Sequence, residues 1–123
     1  MVTEDYVSYE TAKLLKEKGF DELCIFKYNS DGYRVKAGVV IDEWQNSELN
    51  DDECSCVSIQ MVMKWLREVH KFLITIDWTG YENEYIWSIQ DMNSGMYWES
   101  DESYILYEHA CEAAFLFCLK KLI

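Results

Sequence analysis

The sequence contains no proline, and its 123 residues include only five glycines, two histidines and eleven basic side chains. The absence of proline argues against extended linkers and proline-rich ligand segments. Loops that cradle phosphate need closely spaced glycines, and even the closest pair, Gly32 and Gly38, is too widely separated. The two glycine-rich nucleotide-binding motifs, the dinucleotide-binding G-x-G-x-x-G and the P-loop, are therefore excluded.

Long apolar segments are also missing. The longest uncharged run, residues 54–63, is far shorter than the roughly 18 residues that a membrane-spanning helix needs. Glu4 and Asp5 stand where a secretory signal needs positive charge, and no acceptor site for N-linked glycosylation occurs. We therefore expect a cytoplasmic protein without a membrane span. Its five cysteines, odd in number and irregularly spaced, should be reduced and mostly buried as small hydrophobes.

The composition is that of a folded domain. Half of the residues are hydrophobic, 15% are aromatic and 28% are charged, which is too apolar for a disordered chain. A chain of this length predicts a single domain over residues 1–123. The 23 acidic side chains give a formal net charge of −12, and phosphate backbones attract the opposite sign. Direct nucleic-acid binding is therefore disfavoured.

Local patterns in the first half predict a helix, a hairpin and a loop. Ser8 can cap a short helix that Gly19 ends. Residues 23–28 and 33–40 are rich in β-branched and aromatic residues and flank the turn sequence Asn29-Ser30-Asp31-Gly32, which predicts a hairpin. The acidic residues 42–54 lack apolar periodicity and predict a solvated loop.

The second half predicts a helix, three strands and a final helix. Ile59, Val62, Leu66 and Val69 follow helical spacing after Ser58. From residue 72 to residue 98 the period is two, which predicts an antiparallel meander with turns near residues 79–83 and 93–95. One strand face should carry Ile74, Ile76 and Trp78, and one face of the next strand should carry Tyr85, Trp87 and Ile89. A helix begins at Tyr104 or Tyr107 and runs to the end. The predicted fold is a two-layer α+β domain, an antiparallel sheet packed by helices in the order α-ββ-α-βββ-α.

Three segments resemble a family of small proteins from bacterial phages and related mobile elements, a family with no assigned activity. They are VSYETAKLLKEKGFDE at residues 7–22, KWLREVH at residues 64–70 and YEHACEAAFLFCLKKLI at residues 107–123. The last segment departs from the family pattern at His109, Cys111, Phe115, Phe117 and Cys118, which makes the final helix unusually apolar. The resemblance implies a genomic context and transfers no catalytic or binding residue.

Charge segregation is the first feature that points to a function. Residues 72–119 contain nine acids and no lysine or arginine. We expect an acidic interaction surface formed by Glu82, Glu84, Asp91, Glu99, Asp101 and Glu102. Such a surface either keeps the protein soluble or competes for a basic, nucleic-acid-binding groove on another protein.

Two further candidate surfaces follow from the helices. The final helix is apolar on every side, so Phe115 and Leu116 either lie in the core or form a patch that pairs two copies of the chain. Lys64, Arg67 and Lys71 are spaced to form a basic ridge on the helix that ends near His70. This ridge is either a weak phosphate contact or a solvated helix face.

Catalytic and metal chemistry has little support. Cys54 and Cys56 form one C-x-C pair without the paired spacing of a zinc site, and residues 42–53 lack the glycine that a calcium loop requires. We predict no catalytic residue, no metal and no cofactor. The predicted function is non-catalytic binding of an unidentified protein partner. There are two alternatives. The first is a small hydrolase or transferase with a pocket near Trp78, Tyr85 and Trp87, and the second is a structural homodimer.

Overall fold

The structure is a computed structural model that describes residues 2–38, 43–80 and 82–123. Within these residues, three helices and six strands follow in the order α-ββ-β-α-βββ-α, so the predicted α+β class is confirmed. The strands form two antiparallel sheets of three strands each. The chain divides into two compact units, residues 1–58 (the N-terminal unit) and residues 59–123 (the C-terminal unit). The expectation of one domain over residues 1–123 stays a prediction.

The first helix, α1, spans Tyr9–Glu17 and is bounded as its sequence predicts. The Oγ of Ser8 accepts the Thr11 N–H at 3.3 Å, which satisfies one of the free donors at the helix start. Gly19 lies just beyond the helix with φ +94°, the left-handed conformation that commonly ends helices. The buried side chains of α1 form one narrow stripe: Thr11, Ala12 and Leu15.

The predicted hairpin consists of β1 (Phe26–Tyr28) and β2 (Arg34–Lys36). Its turn is held by Asn29, whose Oδ1 accepts the N–H groups of residues 31 and 33 at 3.0 and 2.9 Å. A short strand that the sequence analysis missed, β3 (Cys54–Ser55), pairs with the other side of β1. Residues 39–42, which include the predicted end of the second hairpin strand, lie outside the described residues.

The acidic segment before β3 is more ordered than the predicted solvated loop. A 3-10 turn spans Asn46–Glu48, and the Asn46 side chain is buried. The Asn46 Nδ2 donates to the Phe20 carbonyl at 2.7 Å, and Oδ1 accepts the Ser55 N–H at 2.8 Å. A single polar side chain therefore ties the segment to the chain after α1 and to β3.

The C-terminal unit begins with α2, which spans Ile59–Glu68. Its buried side chains are Ile59, Val62, Trp65 and Leu66. The apolar stripe was predicted to continue to Val69, but that side chain is 56% exposed and lies one residue beyond the end of the helix. Lys71 then adopts φ +62° and redirects the chain into the sheet.

The predicted meander is confirmed as β4 (Phe72–Thr79), β5 (Glu84–Asp91) and β6 (Tyr97–Glu99), in that order across the sheet. The predicted faces are also confirmed, since cross-strand partners in a ladder share a face. The pairs are Ile74 with Ile89, Ile76 with Trp87, and Trp78 with Tyr85.

The final helix, α3, spans Tyr107–Phe117 and continues into a π-helical turn at Cys118–Leu122. Tyr104 does not belong to it, because its backbone exchanges two hydrogen bonds with Tyr85 and extends the sheet pairing. Helix α3 lies against β5 and β4 and supplies the core of this unit. Its fully buried side chains, together with those of the π-helical turn, are Ala110, Cys111, Ala114, Phe115, Cys118 and Leu119.

Candidate functional site

The sheet of the C-terminal unit has one face covered by α3 and one open face. On the covered face Trp87 and Ile89 are buried, and the Trp87 ring lies 5.1 Å from the ring of Phe117. The open face consists of the residues that alternate with these along the strands: Leu73, Thr75, Asp77 and Thr79 of β4, Glu84, Ile86, Ser88 and Gln90 of β5, and Tyr97 and Glu99 of β6. Because strand side chains alternate, these ten residues present one continuous surface.

Carboxylates on this open face belong to Asp77, Glu84 and Glu99. Glu99 lies opposite Ser88, which lies opposite Thr75, so one row across the sheet ends in a carboxylate. Asp77 and Glu99 are exposed, whereas Glu84 is half-buried and hydrogen-bonds to the Ser103 hydroxyl. None of the three pairs with a cation among the described residues. The face is therefore negative and uncompensated.

The other predicted members of the acidic surface lie around this face or away from it. Glu82 lies in the turn after β4, and Asp101 and Glu102 follow β6; all three are exposed. Asp91 has a different role, because its Oδ1 accepts the N–H groups of Asn93 and Ser94 at 2.8 and 3.4 Å. These bonds lower the pKa of the Asp91 carboxyl. Asp91 therefore caps a turn, and it lies on the covered side of the sheet.

Asp77 was not among the six predicted surface residues, although its signal was present. It alternates with Ile76 and Trp78 on a strand whose faces were assigned correctly. That alternation alone places its carboxylate on the face opposite the apolar side chains.

The basic ridge is not formed as predicted. Lys64 and Arg67 lie on α2, but Lys71 lies beyond the end of the helix in the left-handed conformation, so the helical spacing does not reach it. Arg67 Nε is 3.6 Å from the Glu68 carboxylate. The basic side chains on the helix are thus reduced to two, one of them beside an acid.

The candidate dimer patch is not an exposed surface. Phe115 is fully buried inside the C-terminal unit, and Leu116 is half-buried. The reason is that α3 packs one side on the sheet and also lies against α2, so the helix is covered on more than one side. Exposed apolar side chains occur instead just before α3, where Ile105 is 75% exposed.

The thiols have the environment of core residues. Cys54, Cys56, Cys111 and Cys118 are buried, and none of the five cysteines forms a disulfide bond. Burial raises the pKa of Cys24 and of Cys54 to about 11 and that of Cys118 to about 12. A high pKa disfavours the thiolate, which is the nucleophilic and metal-binding form. Within the described ranges, no three metal-ligating side chains come together.

The two histidines differ in environment. His109 is exposed, while Cys111, two residues further along α3, is buried, so the two side chains project from different faces of the helix. His70 packs its ring 4.7 Å from that of Trp65 and 6.4 Å from that of Phe72. Its Nε2 is buried without a hydrogen-bond partner in the described part of the chain, and burial lowers its pKa. This is the environment of a packed neutral ring.

The side chains of Trp78, Tyr85 and Trp87 do not form the predicted pocket. Trp87 is buried beneath Phe117, and Tyr85 packs edge-on against Tyr107 at 5.7 Å. Trp78 is 58% exposed, and its Nε1 donates to the Asn83 side chain at 3.3 Å.

A cleft of about 420 Å³ lies instead in the N-terminal unit, between α1 and the acidic segment. Within it Lys16 Nζ donates to the carbonyls of Asn50 and Glu53, each at 2.7 Å, and Cys54 is buried at its wall. Lys16 is therefore already used to hold the segment, and the Lys13 ammonium lies 4.5 Å from the centre of the Tyr9 ring. Its lining residues are Tyr9, Lys13, Lys16, Glu17, Asp51, Asp52, Glu53 and Cys54.

Comparison of this chain with protein families, with characterised proteins and with solved structures gave no match. Among the described residues, no helix combines the length and the apolar character needed to cross a membrane. The geometry of the site is therefore the basis for a functional assignment.

Proposed function

We propose that this chain is a non-catalytic binding protein whose acidic sheet face engages a basic protein partner. The partner is a nucleic-acid-binding protein, and the chain occupies the groove that would otherwise hold phosphates. The resemblance to phage and mobile-element proteins suggests that the partner belongs to a bacterial host.

The open face of the C-terminal unit is the observation that carries this proposal. Asp77 and Glu99 are exposed on it, between short polar side chains and two exposed apolar ones, Leu73 and Tyr97. No lysine or arginine occurs in residues 72–119 to offset the acids. Electrostatic complementarity of this kind accelerates encounter with a basic surface and excludes acidic competitors.

The shape of the face also favours a macromolecular partner. Enzyme sites are concave and bury most of a small ligand, whereas an uncovered antiparallel sheet offers a broad surface without a cleft. Tyr97, 58% exposed beside Glu99, adds an aromatic side chain of the type that is enriched at protein interfaces.

The proposal is tested by competition. A lysine- and arginine-rich DNA-binding domain is loaded with a fluorescent duplex, and the chain is titrated in while anisotropy is followed. We expect displacement of the duplex at low salt. In a second titration without duplex, the affinity of the chain for the same domain should weaken as salt rises from about 50 to about 200 mM, because exposed charges are screened. No displacement from any basic domain, or an affinity that salt does not change, would contradict the proposal.

A matched pair of variants locates the effect. The double variant Asp77→Asn, Glu99→Gln removes two charges from the open face, and Asp51→Asn, Asp52→Asn removes two exposed charges from the N-terminal unit. Both carry the same net charge. Only the first should lose displacement, by tenfold or more, if the open face is the contact.

A further inference from the structure

The hydrogen-bond pattern of the C-terminal sheet identifies which edge of β4 is free. Met92 N–H donates to the Lys71 carbonyl at 2.8 Å, so this pair belongs to the hydrogen-bonded positions of the ladder. Antiparallel residues alternate between bonding to the neighbour and pointing away from it. Residues 73, 75, 77 and 79 therefore bond to β5, and residues 72, 74, 76 and 78 direct their N–H and C=O groups outward.

The bonds on the other side of β5 agree with this assignment. The Asp91 N–H donates to the Met96 carbonyl, the Ser100 N–H to the Trp87 carbonyl, and the Tyr85 N–H to the Tyr104 carbonyl. The odd-numbered residues of β5 thus face β6, and its even-numbered residues face β4. Among the described residues, no strand pairs with the outward side of β4.

This free edge lacks the usual protection. Edge strands are commonly short, or carry proline or lysine, because an unpaired row of backbone groups accepts other strands. β4 is eight residues long, contains neither residue, and reads FLITIDWT with Asp77 as its one charge. β6, the opposite edge, has three residues.

The two faces of β4 carry different side chains along this edge, and this difference defines the kind of strand that can pair with it. A strand added beside β4 would place alternate side chains next to Ile74 and Ile76 and the others next to Asp77. The first set must be apolar, and the second must be basic. An alternating basic and apolar segment meets both requirements, whereas a second copy of this chain brings another net charge of −12.

We infer that the outer edge of β4 accepts an extended, alternating basic and apolar segment of the partner protein as an added strand. This inference rests on the proposed function, because it takes the basic partner from it and adds the mode of contact. The backbone bonds hold the segment, and its lysines or arginines lie above the open face beside Asp77.

The test uses an eight-residue peptide, the length of β4, in which lysine alternates with valine. Its partner probe is the same peptide N-methylated at every valine. In a strand added antiparallel to β4, the valines lie opposite residues 74 and 76, and their N–H groups face that strand. Charge and side chains are identical in the two probes. We expect the parent peptide to bind at least tenfold more tightly by fluorescence anisotropy, and Asp77→Asn to weaken it while Asp51→Asn does not.

Amide hydrogen exchange gives an independent readout on the intact chain. The parent peptide should slow exchange at residues 74, 76 and 78 by tenfold or more, because those amides have no strand partner in the described part of the chain. Equal binding of both peptides without this protection would overturn the inference and leave the proposed function standing. Loss of both peptide binding and duplex displacement would overturn the two together. Protection that rises with protein concentration alone, with a doubled mass, would assign the edge to a second copy and also overturn the inference.

Discussion

Lys27 Nζ lies 2.7 Å from the Glu53 carboxylate and joins the first strand of the hairpin to the acidic segment. The same ammonium lies 4.9 Å from the centre of the Trp44 ring. Both side chains of the pair are largely shielded, with 19% and 15% exposure. The acidic segment is thus held by Lys27 on one side and by Lys16, through its two carbonyl contacts, on the other.

Removal of this ion pair should give a pH-dependent loss of stability. The hydrogen bond from Lys27 lowers the pKa of Glu53 below its ordinary 4.5, so its contribution is complete above that value and is lost as pH falls through the lower, folded value. Lys27→Met should therefore cost about 1 kcal/mol at pH 7 and less at pH 3. Urea unfolding at both pH values measures this, with Lys36→Met, which is exposed, as the control. An equal cost at both values would show that the pair is not the cause.

Asn46 should contribute strongly to the free energy of unfolding, although it lies in a segment of exposed acidic residues. It is 4% exposed and satisfies the Phe20 carbonyl and the Ser55 N–H together. Asn46→Ala removes both of these hydrogen bonds to buried backbone groups, at a cost of about 1–3 kcal/mol for each. The neighbouring exposed Ser47→Ala should change the free energy of unfolding by less than about 0.5 kcal/mol. Similar costs for the two variants, measured by urea unfolding, would contradict this role.

The sequence predicted the elements that carry strong periodicity. The faces of β4 and β5 followed from alternation over eight residues each, and α1 from a cap and a glycine at its two ends. β3 was missed because two residues carry no period. Asn46 was missed because burial of a polar side chain depends on partners far away in sequence, which a local pattern cannot show.

The functional residues were predictable to the same degree. Glu99 was found through composition and lies on the open face, whereas Asp91 was assigned to the surface although its carboxylate caps a turn. Lys71 was assigned to a helix face because the apolar pattern runs past the true end of α2 at Glu68. Helix ends depend on single backbone conformations, here φ +62°, which periodicity does not encode.

His70 should give stability a second dependence on pH. Here the cause is burial that disfavours the charged form, whereas for Glu53 it is a hydrogen bond that favours the charged form. Burial between Trp65 and Phe72 lowers its pKa, so the unfolded chain binds a proton at a higher pH than the folded one. Stability should therefore be complete above about pH 6.5, the ordinary value for histidine, and decline as pH falls below it. His70→Phe should remove the decline between pH 7 and pH 5, and His109→Phe should not. An unchanged pH profile in His70→Phe would refute this.

The thiols should be protected from alkylation in the folded chain. A rise in pKa from 9.0 to about 11 reduces the thiolate fraction of Cys24 and Cys54 about 100-fold at neutral pH. Iodoacetamide should label Cys24 first, since it is the one cysteine that is not fully buried, and should label all five after unfolding in urea. Peptide mapping by mass spectrometry measures the order in which the cysteines are alkylated. Rapid labelling of Cys54 or Cys56 in the native chain would indicate an activated thiol and reopen the enzymatic alternative.

Phe115 distinguishes a core helix from an association surface. Its side chain is completely buried in the C-terminal unit, so Phe115→Ala should destabilise the chain by about 3–5 kcal/mol through lost burial and the cavity left behind. Ile105→Ala, at a position that is 75% exposed, should change stability by less than about 0.5 kcal/mol. Sedimentation before unfolding completes the comparison, because a residue that joined two copies would change the mass on substitution. An unchanged mass with a large loss of stability assigns Phe115 to the core, whereas a halved mass with little loss would assign it to a dimer interface.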